Sequence, residues 1–168
     1  MPLTSAQQVV VKADILASPD LAAQPNTPDG NFAIADLYNA LAVPPFWVWR
    51  TTVGIIDIYS VTTTDATAWN WTTYIGRSAQ ERDCWREVSS ASFLNFSLPN
   101  TRQAIADIFS GAGAAAIAQR THLLTIGRRQ ATRIEKLLAV GTGTTVSPAM
   151  MGREGSISYQ DIQQARNS

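Results

Sequence analysis

Side chains able to do chemistry at neutral pH are sparse in this sequence, and each stands apart from the partner it would need. His122 is the single histidine, whereas general acid–base work needs a group titrating near pH 7 and a second group to orient it. In Arg120-Thr121-His122 it reads as a helix-surface residue. Cys84 is the single cysteine, which excludes an internal disulfide and a cysteine–histidine zinc cage. Placed between Asp83 and Trp85, it is expected to be a buried or half-buried structural thiol. Glu81, Asp83 and Glu87 interleave with Arg77, Arg82 and Arg86, and spacings of three and four set opposite charges side by side on a helix. That describes an ion-pair face, not an acid–base dyad. Gly111-Ala112-Gly113-Ala114-Ala115-Ala116 has the outline of a dinucleotide fingerprint but follows a helical stretch where that motif needs a strand. It reads as a joint between helices, and no Gly-Lys-Ser/Thr phosphate loop exists. The expectation is a protein that is not an enzyme, with no catalytic, cofactor-binding or metal residues.

The elements that would carry these residues are mainly helical. Thr4-Ser5-Ala6-Gln7 forms a capping box for a first helix with Val9, Ala13 and Leu16 as its apolar side, stopped at Ser18-Pro19. A Pro/Asn/Asp/Gly loop follows, and Asn31 can cap a second helix whose Ile34, Leu37, Tyr38 and Leu41 fall at i, i+3, i+4, i+7. Pro44-Pro45 ends it. From Phe46 to Tyr59 the residues are aromatic and β-branched, compatible with an extended segment or a short buried helix. Asp65 could cap a helix to about Val88, weakened by Gly76. Asn100 with Gln103 suggests a helix start, with Ile105, Ile108 and Phe109 buried; Gly111 and Gly113 break it. Residues 114–126 read as an alanine-rich helix, Gly127 as a joint and residues 130–140 as another helix. The expected fold is a compact helical bundle at residues 1–140, containing an aromatic extended segment. Residues 141–168 are read as a linker and flexible C-terminal arm.

With 168 residues and 18.2 kDa, the chain can build a core without metal or disulfide. Charged residues are only 15%, against about 25% in typical soluble domains. Surface normally kept charged is therefore polar or covered, as it would be by neighbouring subunits. The zero net charge conceals polarity: residues 1–65 carry two basic side chains and six carboxylates, a net of −4, and the remainder carries eleven against seven, a net of +4. Head-to-tail contact between copies would use such polarity; acid-to-base packing inside one copy would give the same count. Eleven of the thirteen basic residues are arginine, suited to bidentate pairing with carboxylate or phosphate. No apolar run approaches the about 20 residues of a membrane span. No signal-peptide pattern opens the sequence, so maturation in a reducing cytoplasm is expected.

Three stretches, Phe46-Trp47-Val48-Trp49-Arg50-Thr51, residues 129–139 (Arg129-Gln130-Ala131-Thr132-Arg133-Ile134-Glu135-Lys136-Leu137-Leu138-Ala139) and residues 154–162 (Glu154-Gly155-Ser156-Ile157-Ser158-Tyr159-Gln160-Asp161-Ile162), occur in the same order as in small virion proteins of tailed bacteriophages. The chain resembles that group, and in size and helix content its head-to-tail adaptor (connector) type. The resemblance implies a virion structural component assembled in the bacterial host cytoplasm. Its partners would be further copies of itself in a ring, the portal protein, and tail or neck proteins. It brings no catalytic residue. On this reading Phe46, Trp47, Trp49, Arg50, Ile157, Tyr159 and Ile162 are candidate interface residues, although the tryptophans could equally fill the core. Arg120, Arg128, Arg129 and Arg133 could line a lumen and touch packaged DNA through phosphates, or form a solvated helix face. A phage DNA-binding or regulatory protein, and a minor tail or capsid-decorating protein, are the alternatives.

Overall fold

A computed structural model describes residues 2–63 and 67–168. Among them the chain is mainly α, with ten helices and two two-stranded sheets. It divides into two units: unit 1 comprises residues 1–48 and 130–168, and unit 2 comprises residues 49–129. These divisions, near residues 48 and 130, differ from the expected boundary at residue 140.

Unit 1 begins with α1 (Ser5–Ala17), started by the full Thr4/Gln7 capping box and stopped at Ser18. Its buried face is Val11 and Ile15. The expected apolar side is exposed instead, Val9 by 62% and Leu16 by 72%. The helix has apolar residues on two sides, and spacing cannot say which of two such stripes meets the core. A short α2 (Pro19–Ala22) buries Leu21. Thr27, not Asn31, caps α3 (Pro28–Asn39), with Pro28 in the first turn where its missing N–H costs nothing. Asn31 lies inside the helix, buried, and its Oδ1 accepts from Arg166 at 2.9 Å. Ile34 and Tyr38 are buried as expected, while Leu41 is 58% exposed.

The aromatic segment takes both of its possible forms. Residues 47–49 are strand β1 (Trp47–Trp49), on which the chain leaves unit 1; β2 (Val53–Gly54) and α4 (Ile55–Ser60) follow in unit 2. The proposed Asp65 cap lies outside the described residues. In place of one helix to Val88 there are two, α5 (Trp71–Ile75) capped by Asn70 and α6 (Ala79–Val88) opened by a Ser78/Glu81 capping box. Gly76 closes the first of them. Strand β3 (Phe93–Leu94) pairs antiparallel with β2, Val53 opposite Leu94. Then come α7 (Pro99–Ile108) and α8 (Ala114–Ile126), the latter with the expected bounds. Gly111 between them has φ of 106°, a left-handed conformation that favours glycine. The core of unit 2 is aromatic: Trp69 stacks on Trp85 at 5.1 Å and meets Phe109 edge-on at 5.8 Å. Trp49, Phe96, Ile105 and Leu123 belong to the same cluster.

The chain returns to unit 1 through β4 (Arg128–Gln130), so the expected helix at 130–140 starts later. A Thr132/Glu135 capping box opens α9 (Arg133–Leu138). The C-terminal segment is integral to unit 1. Helix α10 (Tyr159–Asn167) has its own Ser158/Asp161 capping box and packs on α1 and α3. Ile157, Ile162 and Ala165 are buried in a core shared with Val11, Ile15, Ile34, Tyr38 and Ile134. Composition around Gly141-Thr142-Gly143 suggests a flexible linker, but the Gly143 carbonyl accepts from Trp47 N–H at 2.7 Å. A side chain at Gly143 would overlap the Phe46 ring.

Candidate functional site

The candidate interface residues differ in burial and are divided between the two units. Phe46 is half-buried over Val48, Ala131 and Ala149, with the Lys136 ammonium 5.9 Å from its ring centroid. Trp47 is half-buried, and its carbonyl accepts from Ala149 N–H at 2.8 Å. These two lie in unit 1 and their expected companions Trp49 and Arg50 in unit 2. Trp49 is buried, with the Arg102 guanidinium 4.8 Å over its ring. Arg50 donates from Nη1 to the Ile126 carbonyl at 3.2 Å. Ile157 and Ile162 are buried in the core of unit 1, so neither is available to a partner. Tyr159 is half-buried, its ring 4.1 Å from that of Phe32.

The candidate lumen arginines are engaged within the chain. Arg120 donates to the carbonyls of Phe109 and Gly111, closing the end of α7. Arg133 pairs with Asp20 at 2.5 Å and lies 3.7 Å from Asp14, its guanidinium 5.5 Å over the Tyr38 ring. The hydrogen bond to Asp20 raises the Arg133 pKa and lowers that of Asp20. Tyr38 donates to Asp14 at 2.8 Å; burial first, and then that carboxylate, push its pKa upward. Arg128 and Arg129 sit half-buried on β4, and neither is a free cation. Part of the acidic-to-basic polarity of the sequence is thus satisfied inside one copy.

Two buried groups were missed. Asp161 is buried, accepting from Leu3 N–H at 3.1 Å and from Ser158 N–H at 3.1 Å, with Arg153 3.9 Å away. Burial alone would raise its pKa, but the Ser158 and Leu3 hydrogen bonds and the Arg153 charge hold it below the ordinary carboxylate value. Glu135, also buried, accepts from Thr132 N–H at 3.0 Å and Gly155 N–H at 3.1 Å. The Ser158-x-x-Asp161 and Thr132-x-x-Glu135 spacings were the available signals.

His122 is fully buried, contrary to the surface position expected of it. Its Nε2 lies 2.8 Å from the Ile58 carbonyl. Gln119, one turn earlier on α8, is buried and accepts from Asn70 N–H at 2.9 Å. Cys84 is exposed, not buried, because α6 turns Trp85 inward. Arg77 pairs with Glu81 at 2.5 Å and Arg86 with Asp83 at 2.7 Å, which realises the expected ion-pair face. No group of three His, Cys, Asp or Glu side chains among the described residues could hold a metal ion. Nor is any described helix long and apolar enough to cross a membrane.

What each unit does present is apolar surface. In unit 1 a groove of about 460 Å³ is lined by Leu37, Leu41, Ala42, Val43 and Leu137, with Asp14, Arg133 and Lys136 at its polar side. In unit 2 a groove of about 400 Å³ has an uncharged lining that includes Val88, Phe93, Leu94, Leu98 and Ala104. Phe93 and Leu98 are each 51% exposed. No family model matches the chain, and no curated protein or solved structure matches it either.

Proposed function

We propose that this chain is a non-catalytic structural subunit of a tailed-phage virion, working as one copy of a head-to-tail adaptor ring between portal and tail. The observation that carries an assembly role is the apolar surface left open on both units. Val9, Leu16, Val43 and Val146 in unit 1 and Ile56, Trp71, Ile75 and Phe93 in unit 2 are all more than half exposed. A chain with only 15% charged residues does little to offset that exposure, and apolar patches beyond a few hundred Å² mark contact surfaces. The virion setting comes from the ordered resemblance of the three sequence stretches. Two of those stretches also supply structural anchors, Phe46 in the first and Ile157 and Ile162 in the last. The adaptor's contacts would then be made by the grooves and open helix faces of the two units. Phosphate contact by Arg120 and Arg133 has less support, since both guanidinium groups are occupied by acceptors of their own chain.

Protein composition and electron microscopy of purified particles provide the test. The expected result is the chain in virions, in density at the neck. Particles that lack it entirely would dispose of the virion role, and density on the capsid surface or along the tail would replace the adaptor role with a decorating or tail role.

A further inference from the structure

The strongest uncommitted feature is α1, a helix with two apolar sides. Val11 and Ile15 face the unit 1 core, while Ala6, Val9, Val10, Ala13, Leu16 and Ala17 are all exposed. At about 100° per residue these six fall in one stripe about 120° wide along the outward side. The stripe contains no charge. Lys12 and Asp14, at its two edges, are both held within their own chain: Lys12 donates to the Ser168 carbonyl, and Asp14 accepts from Tyr38. Covering the stripe therefore strands no ion, the main penalty that apolar contacts otherwise risk.

We propose that this face of α1 packs antiparallel against the same face of α1 from a second copy of the chain, a two-fold contact that goes beyond the virion reading and does not depend on it. The residue sizes select the occupant and its direction. Ala6 and Ala13 are separated by seven residues, as are Val9 and Leu16, so they stand as the two alternating seam positions of two heptads. Antiparallel pairing centred at residue 11 sets Ala6 against the partner's Leu16 and Val9 against the partner's Ala13, one large and one small side chain in every layer. Parallel pairing would instead set alanine on alanine and leucine on leucine, leaving alternate layers underfilled and crowded. A 13-residue helix is about 20 Å long and covers less than the about 800 Å² per partner of a standard interface. The dimer is accordingly concentration-dependent, a form that covers the apolar stripe and releases it on dilution.

Sedimentation velocity of the full chain from about 1 μM to about 1 mM spans the affinities that so small a contact gives. A monomer–dimer equilibrium is expected, and Leu16→Glu should raise its dissociation constant at least about 100-fold, because a carboxylate would face an apolar seam. The far-UV circular dichroism of the variant should match the parent, Leu16 being 72% exposed. Cysteine cross-linking in a Cys84→Ser background reads the direction independently. Val10→Cys should form a disulfide dimer, since the antiparallel register brings the two copies of residue 10 within about 3 Å along the axis. Ala6→Cys should not, its two copies being about 15 Å apart along the axis. A chain monomeric throughout, a dimer indifferent to Leu16→Glu, or cross-linking at residue 6 in place of 10 would each overturn the proposal.

Discussion

Unit 1 and unit 2 are of similar size but are held together by different means. Unit 1 is discontinuous in sequence, and polar bonds between its distant ends close it. Leu3 N–H meets Asp161, Asn39 exchanges two hydrogen bonds with the backbone of Ile157, and Arg166 donates to the carbonyls of Gln24 and Pro25 and to Asn31. Unit 2 is one continuous segment whose centre is a stack of rings. Its buried polar atoms are less well served: Trp69 Nε1, Gln119 Nε2 and His122 Nδ1 have no hydrogen-bond partner among the described residues. Unit 1 is thus specified by directional contacts across more than 100 residues of sequence, and unit 2 by apolar burial that tolerates imperfect polar pairing. Dispersion and burial are less directional than hydrogen bonds, so the two units should fail differently.

The largest expected effects come from the centres. Trp85→Ala removes the ring that stacks on Trp69 and meets Phe109 edge-on and should cost about 3–5 kcal/mol, read as a lost near-UV dichroic signal and a lower denaturant midpoint. Ile162→Ala should cost about 2–5 kcal/mol through the shared core of α1, α3 and α10. Limited proteolysis distinguishes the two. Ile162→Ala is expected to open cleavage near both chain ends, and Trp85→Ala to open cleavage within residues 49–129. Cleavage confined to the C-terminal segment in Ile162→Ala would mean that α10 is an accessory of unit 1 and not part of its core.

What could be seen in the sequence follows the same division. The start of α1 is legible because its Thr4/Gln7 capping box is local chemistry, and that of α8 because Gly111 and Gly113 precede an alanine-rich run, whereas the boxes at Ser78, Thr132 and Ser158 are not among the expected helix starts. The buried side of α1 was not legible, since two apolar stripes compete and only the third dimension chooses. The C-terminal segment was read as an arm because glycine and threonine at 141–145 signal a break, whereas the fate of Ile157 and Ile162 is set by α1 and α3, more than 100 residues away. His122 was misplaced for a related reason: one polar residue in a helix reads as solvent-facing until a carbonyl such as that of Ile58 is brought to it. The sequence offered Phe46 and Trp47 as interface residues and Arg133 as a lumen residue. It could not show that Arg133 would make its contacts with Asp14 and Asp20.

Capping carboxylates sharpen the comparison at smaller magnitude. Asp161 in unit 1 and Glu81 in unit 2 both close capping boxes, and both titrate below their ordinary values, Glu81 at about 2 through its Arg77 and Ser78 bonds. A carboxylate whose folded pKa is lowered contributes its stability fully above the unfolded value. That contribution is lost as pH falls through the folded one. Acid should therefore weaken unit 2 between about pH 4.5 and pH 2, and unit 1 once pH falls below the ordinary aspartate value of about 4. Asp161→Asn, which sets an amide against N–H donors, should cost about 1–3 kcal/mol at pH 7 and flatten the acid limb of a midpoint-against-pH curve. Glu81→Gln keeps an acceptor at the surface and should cost under about 1 kcal/mol. Equal losses from the two variants would contradict the view that directional bonds matter more in unit 1.

The smallest effects belong to the charged face of α6. Arg86 and Asp83 are 69% and 67% exposed, while Arg77 and Glu81 are 19% and 23% exposed. Water screens the first pair, and fixing two mobile side chains costs entropy, so a double-mutant cycle on Arg86→Ala and Asp83→Ala should return a coupling of about 0–0.3 kcal/mol. The Arg77–Glu81 cycle should return more, about 0.5 kcal/mol, with Arg77 also donating to the Ser110 carbonyl at 3.2 Å. Raising salt from about 0.05 M to about 0.5 M should erase the first coupling and leave part of the second. A large, salt-resistant coupling at Arg86–Asp83 would mean that unit 2 draws on surface charge as unit 1 draws on its polar cross-links, and the contrast between the units would narrow to their ring stack alone.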